Sequence, residues 1–88
     1  MLKPVYERAF LKEIQKAEKR GKDMRKIMDI IDLLIQEKQL PAKNCNHKLK
    51  GEWKGYWECH IEPDWLLVYR KSKTEIIFAE TGTHSDLF

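Results

Sequence analysis

Hydrophobic residues return at helical spacing in the first half of the chain and at alternating spacing in the second. After the short apolar start LKPVY, whose Pro4 suits an edge strand because it has no N–H to give a central ladder, Phe10, Ile14 and Ala17 recur at four and three residues. This spacing predicts a helix from Glu7 to Arg20, with Gly21 placed for a left-handed cap. A second helix is predicted from Asp23, whose carboxylate can accept from first-turn N–H groups. Met24, Ile27, Met28, Ile31, Leu34 and Ile35 fall within an arc of roughly 120°, the width of a core-facing stripe. Leu33 projects from the opposite side as a candidate partner contact, and Pro41 is expected to end the helix. A tight turn at Gly21 makes the pair an antiparallel hairpin that covers one face of a sheet.

From Pro41 to Gly55 no periodicity persists and a loop is expected. Three strands follow, Tyr56 to Ile61, Trp65 to Arg70 and Glu75 to Thr81, joined by the turn-like EPD and KSKT. In the first, Trp57, Cys59 and Ile61 alternate with Tyr56, Glu58 and His60, so His60 should point away from the helix-packed core. WLLVY is apolar on both faces, which predicts a central strand. The pattern is that of a single α+β domain over residues 1–88: two N-terminal helices on one face of a small, mainly antiparallel four-stranded sheet, in the order β-α-α-β-β-β.

With 88 residues the core must be small, since a chain of this size buries only about 60 to 65% of its unfolded surface. Hydrophobic residues at 42% and charged residues at 35% are ordinary for a globular protein. No apolar run approaches the roughly 20 residues that span a bilayer, and Met1 leads into a charged, helix-like segment instead of an apolar signal region. The cytoplasm is the expected location, with no membrane partner. Cys45 and Cys59 are expected to be free thiols. Residues 1–54 carry 14 Lys and Arg against 8 Asp and Glu, whereas residues 55–88 carry 3 against 6. Such asymmetry fits a polyanionic partner, or a solvated lysine-rich surface.

Candidate chemistry concentrates in NHKLKGEWKGYWECHIEPDW, residues 46–65, and in the terminal TGTHSDLF. The three histidines are His47 in the loop, His60 on the polar strand face and His84 after the last strand, while Asp64 sits in the turn that follows His60. Metal-free RNA cleavage needs a base for the 2′-hydroxyl, an acid for the departing 5′-oxygen and positive charge near phosphorus. Histidine serves either proton role near neutral pH, each worth roughly 10² to 10⁴ in rate. Lys48, Lys50 and Lys54 can offset phosphate charge, and Trp or Phe can hold an unstacked base. Trp57 is expected in the core, whereas Trp53 and Trp65 divide between packing and nucleotide contact. A zinc set of Cys45, His47, Cys59 and His60 is disfavoured, because adjacent strand residues such as Cys59 and His60 point to opposite faces. No metal and no cofactor are expected.

HKLKG, WKGYWECHIEPDWLLVY and TGTHSDLF together resemble the YafQ branch of the RelE-type bacterial toxins, within the RelE/ParE superfamily, over essentially the whole chain. The resemblance implies a microbial-ribonuclease-like fold and a ribosome-dependent mRNA endoribonuclease that inhibits translation. It further implies a catalytic group of His47, His60, Asp64 and His84, with His84 the best candidate for general acid, His60 or His47 acting as base or orienting the phosphate, Asp64 fixing an imidazole tautomer or taking the proton itself, and Trp65 and Phe88 assisting substrate placement. Implied partners are mRNA, the rRNA of the ribosomal A site, a cognate antitoxin, and operator DNA through the antitoxin complex. The chain departs from many relatives in having Glu80 where they place an arginine, so transition-state charge falls to protonated imidazole or to Lys50, Lys54 or Arg70. Glu80 itself is expected to point away from the site. Two other classes stay open, a non-catalytic RNA- or ribosome-binding module and a small structural protein.

Overall fold

The computed structural model describes residues 1–88. The chain forms β1 (Lys3–Tyr6), α1 (Arg8–Lys19), α2 (Met24–Ile35), a 3₁₀ turn at Ala42–Asn44 and β2 (His47–Lys48). A second 3₁₀ turn at Gly51–Trp53, β3 (Trp57–Glu62), β4 (Trp65–Lys71), β5 (Glu75–Gly82) and α3 (His84–Leu87) follow. The sheet has five strands in the order β1-β5-β4-β3-β2. All neighbours are antiparallel except β1, which runs parallel to β5 along one edge. The α+β class and the N-terminal helix pair are as expected; the fifth strand is not. It is β2, a two-residue segment too short to show any period. No helix is long and apolar enough to cross a membrane.

The core lies between the helices and one sheet face. Phe10 and Ala17 of α1 and Ile27, Ile30 and Leu34 of α2 pack with Cys59, Ile61, Trp65, Leu67, Tyr69, Ile76 and Phe78. Strand β4 is central, and its Trp65 through Tyr69 are all buried. Leu66 and Val68, which alternate with the helix-side residues, are fully buried on the opposite face, the one that carries the histidines.

Three expectations for α2 change. Met28 is 64% exposed, and Leu33 is half-buried against the core instead of free. Both shifts have one cause: the helix turns so that Ile27, Ile30 and Leu34 face the sheet, which moves Met28 to the outer flank and Leu33 to the inner one. Nor does the helix reach Pro41. It stops after Ile35, where Glu37 adopts a left-handed conformation (φ 59°). The N–H groups of Glu37 and Lys38 then donate to the Leu34 and Leu33 carbonyls, a paired closure that glycine usually provides. At the other end Asp23 caps the helix as expected, accepting from the Arg25 N–H at 3.1 Å.

Candidate active site

Register assembles the site. β2 pairs with β3 so that His47 lies opposite Glu58, and β3 pairs with β4 so that Glu58 and His60 lie opposite Val68 and Leu66. Directly opposed residues share a face; His47, Glu58 and His60 therefore project together from the side away from the helices. A register shift between His60 and Glu62 marks the end of that face. There the Asn44 Nδ2 donates to the His60 carbonyl at 2.7 Å, so the first 3₁₀ turn pins the strand at its histidine.

His84 arrives from the far end of the chain. Thr83 and Asp86 form a capping box that starts α3, each side chain accepting from the other's backbone N–H at 3.1 and 3.0 Å. Asp86 Oδ2 also accepts from Arg20 at 3.0 Å, and Lys16 lies 3.7 Å from Oδ1, so α1 ties the segment down. The hydrogen bonds from Thr83 and Arg20 hold the Asp86 carboxyl below the usual carboxylate range.

The three imidazoles stand in a row. Ring centroids are 6.4 Å apart for His47 and His60 and 5.8 Å apart for His60 and His84. Each ring has an acceptor beside it. His47 Nδ1 lies 2.6 Å from the Cys45 carbonyl, and because a carbonyl only accepts, Nδ1 is the donor in that contact and Nε2 is the nitrogen turned towards Glu58. His84 Nδ1 lies 2.6 Å from Asp64 Oδ1, which also accepts the His84 backbone N–H at 2.9 Å. These backbone and side-chain hydrogen bonds lower the Asp64 pKa, so an ionised carboxylate lies against the His84 ring. Between His47 and His60 sits Glu58, 6% exposed, with Oε1 3.5 Å from Nε2 of each. Glu58 is the residue that the motif reading missed. Its signal was present: at two residues before His60 on a strand it must share the histidine's face.

His47, His60, Asp64 and His84 are thus brought together; the remaining candidates are sorted between surfaces. Trp65 is corrected. It is 2% exposed and its Nε1 donates to Thr81 Oγ1 at 3.0 Å inside the core, so it offers no open ring to a base. Its neighbour Asp64 reaches outward because adjacent residues at the strand start diverge. Lys48 is also corrected: paired with Trp57, it projects to the helix side of the sheet, opposite to His47. Lys50 and Lys54 flank the second 3₁₀ turn and line a groove with Lys48, Tyr56 and Trp57, away from the imidazoles. Arg70 does lie on the histidine face, its guanidinium 5.8 Å from the Tyr56 ring. Phe88 packs edge-on against Trp53 at 5.8 Å, and Trp53 packs in turn on Tyr56 at 5.3 Å. This aromatic chain, of which sequence singled out only Phe88 as a site residue, links α3 to Arg70.

Glu80 also departs from expectation. It lies opposite Val68 and so shares the face of Glu58. Burial, then the nearby Glu7, raise its pKa towards the neutral form, which weakens the repulsion that an ionised carboxylate would direct at phosphate. The disfavoured zinc set is not assembled: Cys59 is buried in the core, where burial and then Glu58 push its thiol up to about 12.

The family model for "Bacterial toxin of type II toxin-antitoxin system, YafQ" matches residues 2–88. This chain belongs to the YafQ toxin family. It is 43% identical over 84 residues to the mRNA interferase toxin YafQ of Escherichia coli strain K12, covering 94% of this chain and 91% of the relative. Against the crystal structure of YafQ from E. coli strain BL21(DE3) the TM-score is 0.95 at 39% identity, covering 100% of this chain and 99% of the other. Against the toxin chain of the E. coli DinJ-YafQ toxin-antitoxin complex it is 0.93 at 41% identity, covering 99% and 97%. The YafQ fold therefore extends over the elements that carry the imidazole row.

Proposed function

We propose that this YafQ-family chain is an mRNA interferase, an endoribonuclease that cuts mRNA on the ribosome by metal-free acid–base chemistry and so stops translation. The observation that carries this reading is the row of three imidazoles, each beside an acceptor, on the sheet face away from the helices. His60, backed by Glu58, takes the proton of the 2′-hydroxyl as its oxygen bonds to phosphorus. His84, charged and supported by Asp64, gives its proton to the 5′-oxygen as the phosphorus–oxygen bond breaks. His47 meets the charge that builds on the non-bridging oxygens, which suits a family member with Glu80 in place of arginine. Phe88 and Trp53 present ring edges and faces on which an unstacked base can rest.

Cognate antitoxin is the second partner, by analogy with the DinJ-YafQ complex, and operator DNA would be met through that complex. A pure RNA- or ribosome-binding module would share the fold but have no use for an acceptor behind each imidazole. Induced expression followed by mapping of cellular mRNA ends tests the reading. Fragments should end in 2′,3′-cyclic or 3′-phosphate and begin with 5′-hydroxyl, and His84→Gln should abolish them; 5′-phosphate ends would exclude 2′-hydroxyl attack.

A further inference from the structure

The ladder between β2 and β3 stops one rung short beside the imidazoles. The Leu49 N–H donates to the Tyr56 carbonyl at 2.9 Å, and the register runs on through Lys48 opposite Trp57 and His47 opposite Glu58. Bonded pairs alternate along an antiparallel ladder, so the next one would join Cys45 to His60. That pair does not form. Cys45 turns into the left-handed region (φ 47°) and β2 ends at His47, which leaves the His60 carbonyl without its ladder donor.

The turn supplies a replacement. Asn44 Nδ2 donates to the His60 carbonyl at 2.7 Å, and the Cys45 carbonyl, turned out of the ladder, lies 2.6 Å from His47 Nδ1. Asn46 Oδ1 accepts from the Tyr69 hydroxyl at 2.6 Å, which ties the same segment to β4. Three consecutive residues thus hold His47 by its ring, His60 by its backbone, and themselves to the central strand.

This corner is built poorly for stability. Asn44 is 4% exposed and its Oδ1 is buried with no hydrogen-bond partner. A buried amide left half satisfied weakens the fold, and an apolar side chain of similar size avoids that penalty. Cys45 holds a conformation that non-glycine residues seldom adopt. Both features stand against His47 and His60, and local strain of this kind persists where it fixes a functional geometry.

We infer that Asn44 is a positioning residue of the cleavage reaction: its amide stands in for the missing rung and so fixes His60 relative to His47. The inference rests on the reading above, in which these imidazoles act on the scissile linkage. Asn44 acts through the backbone, because a side chain so deeply buried does not meet RNA.

The test compares the parent with Asn44→Leu, which keeps the volume, and Asn44→Asp, which keeps the shape but sets an acceptor against the carbonyl. In both, kcat on mRNA-programmed ribosomes should fall about 10- to 100-fold, as misplacement of a reacting group does, with KM for ribosomes unchanged. The urea midpoint of Asn44→Leu should stay at or above the parent's. Ring ¹H–¹⁵N correlations of His47 and His60 should move, whereas those of His84, held by Asp64, should stay. In the parent, where no variant has to fold, a side-chain N–H of Asn44 should exchange with solvent far more slowly than those of the exposed Gln39.

Full kcat in both variants overturns the inference, whether or not the ring signals move, and so does rapid exchange of the Asn44 amide. A fall in kcat matched by a lower urea midpoint and displaced His84 signals would make Asn44 structural and overturn it as well. A parent that leaves mRNA uncut on ribosomes overturns the functional reading and this inference with it, a failure visible before any variant is made.

Discussion

Asp64 and His84, twenty residues apart, touch twice: Asp64 Oδ1 accepts the His84 backbone N–H at 2.9 Å and lies 2.6 Å from the ring Nδ1. One carboxylate oxygen thus fixes the start of α3 and the orientation of its imidazole. The two duties are separable by mutation. Asp64→Asn keeps an oxygen for the backbone N–H but loses the charge that lies against the His84 ring, and should lower single-turnover cleavage by about 10- to 100-fold. Asp64→Ala loses both contacts and should fall further, towards the level of His84→Gln. Equal rates for Asp64→Asn and the parent would remove the carboxylate charge from the mechanism.

Glu58 is a buried carboxylate whose neighbours are two imidazoles, an arrangement that serves chemistry better than stability. A buried charge is costly, and its replacement by a neutral group of similar shape is often neutral or stabilising. Glu58→Gln should therefore cut cleavage by about tenfold or more while leaving the urea midpoint unchanged or slightly higher. A drop in both would make Glu58 chiefly structural.

Trp65 tests the opposite assignment. Its indole N–H donates to Thr81 Oγ1, and that hydroxyl donates at 2.6 Å to the Leu66 carbonyl. Trp65→Phe breaks the chain and leaves space beside a buried hydroxyl, with an expected loss of about 1 to 3 kcal/mol in urea unfolding. RNA affinity of the folded variant should match the parent. Weaker RNA binding at full folding would return Trp65 to the substrate site.

Acid should release the C-terminal segment before the core unfolds. Asp64 and Asp86 both have folded pKa values lowered from 3.8, Asp64 by hydrogen bonds from His84 and Asp86 by those from Thr83 and Arg20. A lowered folded value means the ionised form is the one that holds the structure. Their contribution is complete above the unfolded value and is lost as pH falls through the folded ones. Trp53, packed against Phe88, reports this as a fluorescence change below about pH 4, and Asp86→Asn should show the released signal already at neutral pH. An unchanged signal in that variant would mean that Asp86 does not hold α3.

What the sequence determined by itself is the identity of the elements and the face each residue uses. Periods of 3.6 and 2 are set by local backbone geometry, so Phe10 and Ala17 could be placed in the core, β4 at the sheet's centre, and His60 on the face away from the helices. Period does not name partners. The pairing of His47 with Glu58, the meeting of Asp64 with His84, and the enclosure of Trp65 with Thr81 are long-range matches that arise only once strands align and α1 clamps α3 through Asp86. Tertiary structure also decided where α2 stops, since no glycine announces the left-handed Glu37, and which side of the sheet each lysine after His47 serves. A two-residue strand shows no alternation to read, yet its hydrogen-bond register is what aims His47 at the site and Lys48 away from it.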